Sequence, residues 1–356
     1  MRLLLAGGGT GGHLFPAVAI AERLLEVEPE AVVHFVGTKK GLEARVLPTL
    51  GWPLSTIDIG GFVGKGLGAK LALAPQLIKS IRQSLRLLED FKPDVVIGVG
   101  GYASGPVGVA ARIKGIPFIL HEQNAWPGLT NRLLSRWADR ICISFPEAAQ
   151  AFPEGKTVLT GNPPRQGMEQ CPAPPEGKPT ILVFGGSRGA RAINEAMVAA
   201  LQHLQDLRDK LVIIHQSGTE DLEKVRAQYA EAGWDSEAVV PFIDDMAAAY
   251  SQAHLVVCRA GATTLTELTA CGRPAILIPY PHAAGDHQSA NARALVVKGA
   301  ALMVPQSELC GVSLATLIRN MIYDHHQLVT MASAAKAQGI EGAADSILKQ
   351  CREVIG

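Results

Sequence analysis

The chain has no surplus of either charge. Lys and Arg together number 33, as do Asp and Glu, so the formal net charge is 0 at pH 7. A nucleic-acid partner calls for a basic surplus, and none exists here, so any basic surface is local. Cysteine is sparse as well. The six present (Cys142, Cys171, Cys258, Cys271, Cys310, Cys351) form no C-x-x-C pair and no zinc-site spacing, which fits a reducing compartment. No uncharged apolar run reaches about 18 residues, so no membrane-spanning helix is expected. The opening apolar stretch breaks into glycines too soon to be a signal peptide. A metal-bridging D-x-D is missing too, and only the adjacent pair Asp244 and Asp245 comes near it.

What the chain does have is length and apolar content. With 356 residues, 47% hydrophobic and 19% charged, it is long enough for two globular cores. Short apolar runs alternate with amphipathic helical patterns: Leu3–Ala6 then Ala17–Leu25, Val32–Val36 then Leu42–Leu50, Val95–Val99 then Val107–Ile113, and Phe118–Leu120. Such βα alternation predicts a parallel sheet. After Ile141–Ser144 and Thr157–Thr160 it breaks at Gly161–Pro179, where six of nineteen residues are proline, a density that predicts a linker. At Thr180–Leu201 it restarts with the layout of the opening stretch: apolar strand, glycine turn, helix. It continues through Leu211–His215, Ala238–Val240, Leu255–Cys258, a helix near Thr264–Ala270 and the strand Ala275–Pro279. The expected class is α/β, with two Rossmann-like doubly wound domains facing a cleft at the carboxyl ends of their strands. The expected domains are residues 1–162 with a returning helix over 339–356, and residues 163–338.

The sharpest local pattern is GGGTGGH (Gly7–His13), a glycine turn between a strand and a helix. Two readings stand, a cradle for phosphate and a turn serving tight strand–helix packing. A dinucleotide-binding turn is followed about 20 residues on by an acid closing the second strand. Here AVVHFVGT ends in Gly37 and Thr38, which argues against NAD. In the second half, CRAGATTLTE (Cys258–Glu267) puts Ala262, Thr263 and Thr264 at a helix start, where N–H groups and hydroxyls suit phosphate. Glu267 lies at capping-box distance from Thr264, so the pair caps the helix, meets a ligand, or does both. PYPHAAGDHQSANA (Pro279–Ala292) reads as an irregular polar loop. LHEQNAWPGLTNRLL (Leu120–Leu134) gathers His121, Glu122, Gln123 and Asn124, either as partners for sugar hydroxyls or as a solvated connector.

Eight stretches, GGTGGH (8–13), GGYASGP (100–106), HEQN (121–124), GNPPR (161–165), GGSRGA (185–190), FIDDM (242–246), RAGATTLTE (259–267) and DHQSANA (286–292), resemble in their order the MurG family of bacterial glycosyltransferases. The resemblance covers nearly the whole chain. It implies the GT-B architecture and inverting transfer of N-acetylglucosamine from UDP-GlcNAc to the C4 hydroxyl of the muramoyl sugar of lipid I, giving lipid II for peptidoglycan. It also implies the donor-binding residues. Arg165 and the Ile243 backbone would meet the uracil, and Ser187 with the turn Ala262, Thr263, Thr264 the diphosphate. Leu265 and Thr266 continue that set. Glu267 would meet the ribose, Gln288 with Asn124 the GlcNAc hydroxyls, and Thr10, Gly11 and Gly12 would complete the cleft opposite. The chain departs from the family in carrying Thr263 where Leu is frequent and Arg188 where Gln is common.

Inverting displacement needs a group to take the acceptor proton and a means of stabilising charge on departing UDP. His13 is the first candidate base, because imidazole titrates near neutral pH and this one ends a loop expected at the cleft. Glu122 and His121 are the other candidates, and His13 also reads as a helix-start residue bonding backbone or orienting acceptor phosphate. Charge stabilisation falls to loop N–H groups, hydroxyls and Arg259. No tightly bound cofactor or metal is expected, and at most a loosely held, stimulatory Mg²⁺.

For a lipid acceptor, Gly61–Phe91 interleaves Lys65, Lys70, Lys79, Arg82 and Arg86 with leucines and isoleucines. Pro75–Leu88 reads as an amphipathic helix packed on the first domain. The membrane-facing surface is expected at Phe62, Lys65, Leu67 and Lys70, with Tyr102 also on the acceptor side. Expected partners are UDP-GlcNAc, lipid I, an anionic membrane surface and other cell-wall synthesis proteins, with no nucleic acid, at the cytoplasmic face of the cell membrane. Two other readings compete: a UDP-GlcNAc 2-epimerase on the same architecture, and a non-enzymatic UDP-sugar sensor or scaffold.

Overall fold

Apolar runs bounded by glycine become buried parallel strands in the computed structural model, which describes residues 1–60, 73–186 and 188–356. Two units divide the chain: Met1–Arg165 with Gly342–Gly356, and Gln166–Glu341. In unit 1 the strands are β1 (Arg2–Ala6), β2 (Val32–Gly37), β3 (Leu54–Thr56), β4 (Val95–Gly98), β5 (Phe118–Glu122), β6 (Arg140–Ile143) and β7 (Thr157–Leu159). Their order across the sheet is β3-β2-β1-β4-β5-β6-β7, all parallel. Direction of growth reverses between β1 and β4, and that switch point is where open α/β sheets bind ligands.

The strands read as continuous rather than alternating apolar runs because helices cover both faces. Leu3 and Leu5 pack with Ile20 and Leu24 of α1 (Gly11–Val27) and with Ile347, Leu348 and Cys351 of the helix Ala343–Ile355. Leu4 and Ala6 face the other way, onto Leu88, Val107 and Ala110. The helix Leu73–Phe91 packs against Ser104–Lys114. Its buried stripe contains Ser80, Ser84 and Leu88, while Leu77 and Ile78 are exposed. The Ser80 and Ser84 hydroxyls are satisfied within the helix, donating to the Leu77 and Ser80 carbonyls.

Unit 2 repeats the plan with β8 (Thr180–Phe184), β9 (Val212–Gln216), β10 (Val239–Val240), β11 (Leu255–Cys258), β12 (Ala275–Leu277) and β13 (Ala301–Met303), ordered β10-β9-β8-β11-β12-β13. Its switch point lies between β8 and β11. The proline-rich stretch is irregular, as its prolines dictate, yet it is fastened from Gln166 onward. Met168 is buried against Cys271, the Arg273 guanidinium donates to the Pro172 carbonyl, and His254 Nε2 donates to the Pro175 carbonyl at 3.1 Å. Residues 166–179 therefore belong to unit 2 rather than to a free linker.

Candidate functional site

Three loops of unit 1 meet at the carboxyl end of its switch point. After β1, Gly7–Gly9 run in left-handed backbone conformations to Thr10, the N-cap of α1. No side chain caps that helix and no acid occupies its first turn, so the N–H groups of Gly11 and Gly12 lie at an uncovered positive end. After β4 comes the second loop, tied to β1 by Ser104, whose Oγ donates to the Ala6 carbonyl at 2.6 Å and accepts from the Gly100 N–H at 3.0 Å. Close approach demands glycine there: a Cβ on Gly100 would lie 2.9 Å from the His13 ring. Tyr102 on this loop is exposed.

The third loop follows β5 and carries HEQN. His13 Nδ1 lies 2.9 Å from Gln123 Oε1. The Gln123 nitrogen reaches the Val99 carbonyl at 3.1 Å, His121 Nδ1 at 3.1 Å and the His121 carbonyl at 3.2 Å, and His121 Nε2 lies 3.3 Å from the Gly161 carbonyl. Burial pushes His121 down to about 4, so it stays neutral. The Glu122 carboxylate is buried under four N–H donors: one oxygen accepts from Asn124 N and Nδ2, the other from Gly128 N and Asn131 Nδ2, at 2.9 to 3.1 Å. Arg165, expected at a uracil, belongs to unit 1, with its guanidinium 5.6 Å from the centre of the Phe15 ring.

A residue that the sequence reading missed completes the first loop. Glu43, 1% exposed, accepts from Gly9 N–H at 2.7 Å, Thr38 N–H at 2.8 Å and the Thr38 hydroxyl at 2.9 Å.

Unit 2 gathers an equivalent set at its own switch point. The loops after β8 and β9 touch backbone to backbone, so closely that a Cβ on Gly189 would overlap the Ser217 carbonyl. Gln216 bridges them to FIDDM, donating to the Gly186 carbonyl at 2.8 Å and accepting from Ile243 N–H at 2.9 Å. After β11, the helix Ala262–Cys271 starts from Gly261 with no side-chain cap and no acid in its first turn. The expected Thr264–Glu267 capping box does not form, because the helix begins two residues before Thr264. Glu267 instead points inward, accepting from the Tyr250 hydroxyl at 3.2 Å. Leu265 is buried, the Thr266 hydroxyl donates to the Ala262 carbonyl, and the Thr263 hydroxyl is buried with no partner among the described residues.

Arg259, expected to help stabilise charge on UDP, is held by partners within its own unit. Its guanidinium donates to the Ile278 and Pro279 carbonyls and to Gln306 Oε1, and packs over Tyr280, fixing the segment after β12. That segment is less irregular than predicted, since His287–Val296 is a helix. Gln288 Oε1 accepts from Tyr280 N–H at 2.8 Å, and Asn291 Nδ2 donates to the Ala260 carbonyl at 3.1 Å. Asp245 caps the helix Met246–Gln252. Among the described residues no cluster of His, Cys, Asp or Glu has metal-site geometry. Ser187, Phe62, Lys65, Leu67 and Lys70 lie outside the described residues.

Comparison with known proteins bears on the family and the fold. Residues 3–143 match the glycosyltransferase family 28 N-terminal domain, and residues 180–347 its C-terminal domain. The chain is 62% identical, over 100% of its length and 99% of the relative's, to the UDP-N-acetylglucosamine--N-acetylmuramyl-(pentapeptide) pyrophosphoryl-undecaprenol N-acetylglucosamine transferase of Syntrophotalea carbinolica. It is 49% identical to the protein of the same name from Geobacter metallireducens, over 98% of each chain. The crystal structure of Acinetobacter baumannii MurG superposes with a TM-score of 0.79 at 35% identity over 99% of each chain. A UDP-N-acetylglucosamine 2-epimerase of Listeria monocytogenes, described as putative in its structure's title, shares the fold alone, at 15% identity and a TM-score of 0.66 over 98% of this chain and 94% of that one. The chain belongs to glycosyltransferase family 28 and, within it, to the MurG glycosyltransferases.

Proposed function

We propose that this chain transfers N-acetylglucosamine from UDP-N-acetylglucosamine to the C4 hydroxyl of lipid I, with inversion at the anomeric carbon. One observation carries the reading furthest. Each unit pairs a switch-point glycine turn with a helix whose first turn has neither cap nor acid, α1 in one and Ala262–Cys271 in the other. Such helix ends favour anions, and the reaction has two, the donor diphosphate and the acceptor pyrophosphate. The full-length identity to named transferases supplies the substrates.

In this scheme unit 2 holds the donor. Ala262, Thr263 and Thr264 present N–H groups and hydroxyls to the diphosphate, a group that Ser187 also serves, and stabilise the charge that develops on UDP. Glu267 accepts from the ribose. Gln288 and Asn124 serve the sugar hydroxyls, and Arg165 the base. The Ile243 N–H is held by Gln216, so a uracil oxygen arriving there exchanges one acceptor for another. In unit 1, Thr10, Gly11 and Gly12 receive phosphate. His13 takes the C4 proton as the new C–O bond forms and the bond to UDP breaks. Glu122, with four N–H donors already on it, orders the Asn124 loop rather than moving a proton.

No helix among the described residues is long and apolar enough to cross a membrane. We assign the lipid-facing surface to unit 1. Trp126, Leu129, Leu133 and Trp137 are exposed beside Arg132 and Arg136, a mixture suited to an anionic interface, and Leu77 and Ile78 add to the unit's exposed apolar surface. The double variant Leu133→Ser, Trp137→Ser should lose about tenfold or more in co-sedimentation with vesicles containing anionic lipid while keeping donor binding.

The deciding experiment incubates the protein with radiolabelled UDP-N-acetylglucosamine and a lipid I analogue. Label in a β-1,4-linked disaccharide lipid is expected. Donor binding without lipid label would overturn the proposal in favour of epimerisation or sensing.

A further inference from the structure

We propose that Gln123 is a positioning residue that locks the His13 imidazole in its Nδ1–H tautomer, leaving the Nε2 lone pair for the acceptor hydroxyl. This rests on His13 being the base proposed above. The Gln123 carboxamide has one satisfactory orientation. Its nitrogen lies 3.1 Å from the Val99 carbonyl oxygen and 3.2 Å from that of His121, and carbonyls only accept. A flipped amide would press oxygen against both carbonyls in a fully buried position, leaving buried acceptors unpaired.

The remaining contacts follow from that orientation. Gln123 Oε1 faces His13 Nδ1 at 2.9 Å, and an amide oxygen can only accept, so the hydrogen must be on Nδ1. On the other side the amide nitrogen shares its two hydrogens among the two carbonyls and His121 Nδ1, 3.1 Å away. His121 therefore carries its own proton on Nε2, toward the Gly161 carbonyl at 3.3 Å. Its neutrality is secured by burial. Three hydrogen bonds thus fix two tautomers, and the backbone carbonyls of Val99, His121 and Gly161 anchor the set.

Free neutral imidazole prefers its hydrogen on Nε2, the form in which Nε2 has no lone pair to offer. The Gln123 oxygen reverses that preference. As the acceptor C4 oxygen attacks the anomeric carbon and the bond to UDP breaks, the hydroxyl proton passes to Nε2. The resulting imidazolium keeps its Nδ1–H on Gln123. Because the holder is a neutral amide, it sets the direction of the ring without placing a full negative charge beside it.

Long-range ¹H–¹⁵N correlation on histidine-labelled protein reads the tautomer directly, with His13→Gln used to assign the signal. Wild type is expected to show Nδ1–H at His13, and Gln123→Met should shift the population toward Nε2–H. The Met variant should lower kcat by at least tenfold while leaving the KM for UDP-N-acetylglucosamine within about twofold. Nε2–H at His13 in the wild type, or an undiminished kcat in Gln123→Met, would overturn the proposal. Should the Met variant fail to fold, the wild-type spectrum decides alone. Failure of the underlying reading looks different: His13→Gln would keep wild-type kcat whatever tautomer is found.

Discussion

Glu43 shows how much a single side chain can organise without any trace in the local sequence. Its carboxylate joins the turn after β1 to the end of β2 through Gly9 N–H, Thr38 N–H and the Thr38 hydroxyl. A Cβ on Gly8 would lie 2.4 Å from it. The contact to Gly9 spans 34 residues, so no motif reveals it, whereas His13 stands beside the glycines in plain view. Glu43→Gln puts an NH₂ group where donors already point. It should cost about 2–4 kcal/mol, a shift of roughly 5–10 °C in the melting of unit 1. Because the displaced loop belongs to the proposed acceptor side, lipid I KM should rise severalfold more than donor KM. Thermal melts and steady-state kinetics on the one variant test both statements.

At the level of elements, the parts legible in the sequence were those whose burial is apolar. Leu3–Ala6 and Leu255–Cys258 announce themselves because both faces of each strand are covered by hydrocarbon. The sequence reads as a loop over Pro279–Ala292, into which the helix His287–Val296 begins, because the buried face of that helix is Asn291, Ala292 and Leu295, with the Asn291 amide satisfied by a backbone carbonyl. Asp286, at φ 53°, closes the turn immediately before it. The capping box at Thr264 and Glu267 failed for a related reason: Gly261 starts the helix, and Tyr250 from another helix claims Glu267.

The C-terminal helix was legible, and its fastening can be tested. It bonds to α1 through Arg23–Asp345 and to Glu28, the residue just past α1, through Arg352, each at 2.8 Å, but exposed pairs of this kind contribute little to stability. Burial of Ile347 and Leu348 contributes more. Leu348→Ala should destabilise unit 1 by about 3 kcal/mol, while a double Arg23→Ala, Arg352→Ala variant should shift the midpoint far less, because exposed pairs are screened by solvent. Urea denaturation distinguishes the two.

For the molecule as a whole, the repeated layout of strand, glycine turn and helix was enough to predict two parallel sheets, and both have the same central order with a switch point after the first strand. Each sheet also buries one neutral histidine, pushed down by desolvation: His121 to about 4 and His215 to about 3. The unfolded chain takes up those protons near pH 6.5 and the native chain does not. Their contribution is therefore fully present above about pH 6.5 and is lost as pH falls toward 4 and then 3. At about 1.4 kcal/mol per unit per histidine, acidification to pH 4.5 should cost on the order of 5 kcal/mol across the two units. His215→Gln should flatten the dependence for unit 2 alone, as followed by denaturation at pH 7.5, 5.5 and 4.5.

The crossing of the chain from unit 1 into unit 2 and back has a consequence for its birth on the ribosome. Unit 1 is interrupted after Arg165 and completed only by Gly342–Gly356. At ordinary elongation rates the intervening residues take roughly 10 to 35 s to synthesise. During that interval the nascent first sheet lacks the apolar cover of Ile347, Leu348 and Cys351, while unit 2 receives all of its strands. The second half is thus able to reach its native state before the first, reversing the usual amino-to-carboxyl order of folding, and the hydrocarbon left bare in the meantime is a natural handle for chaperones.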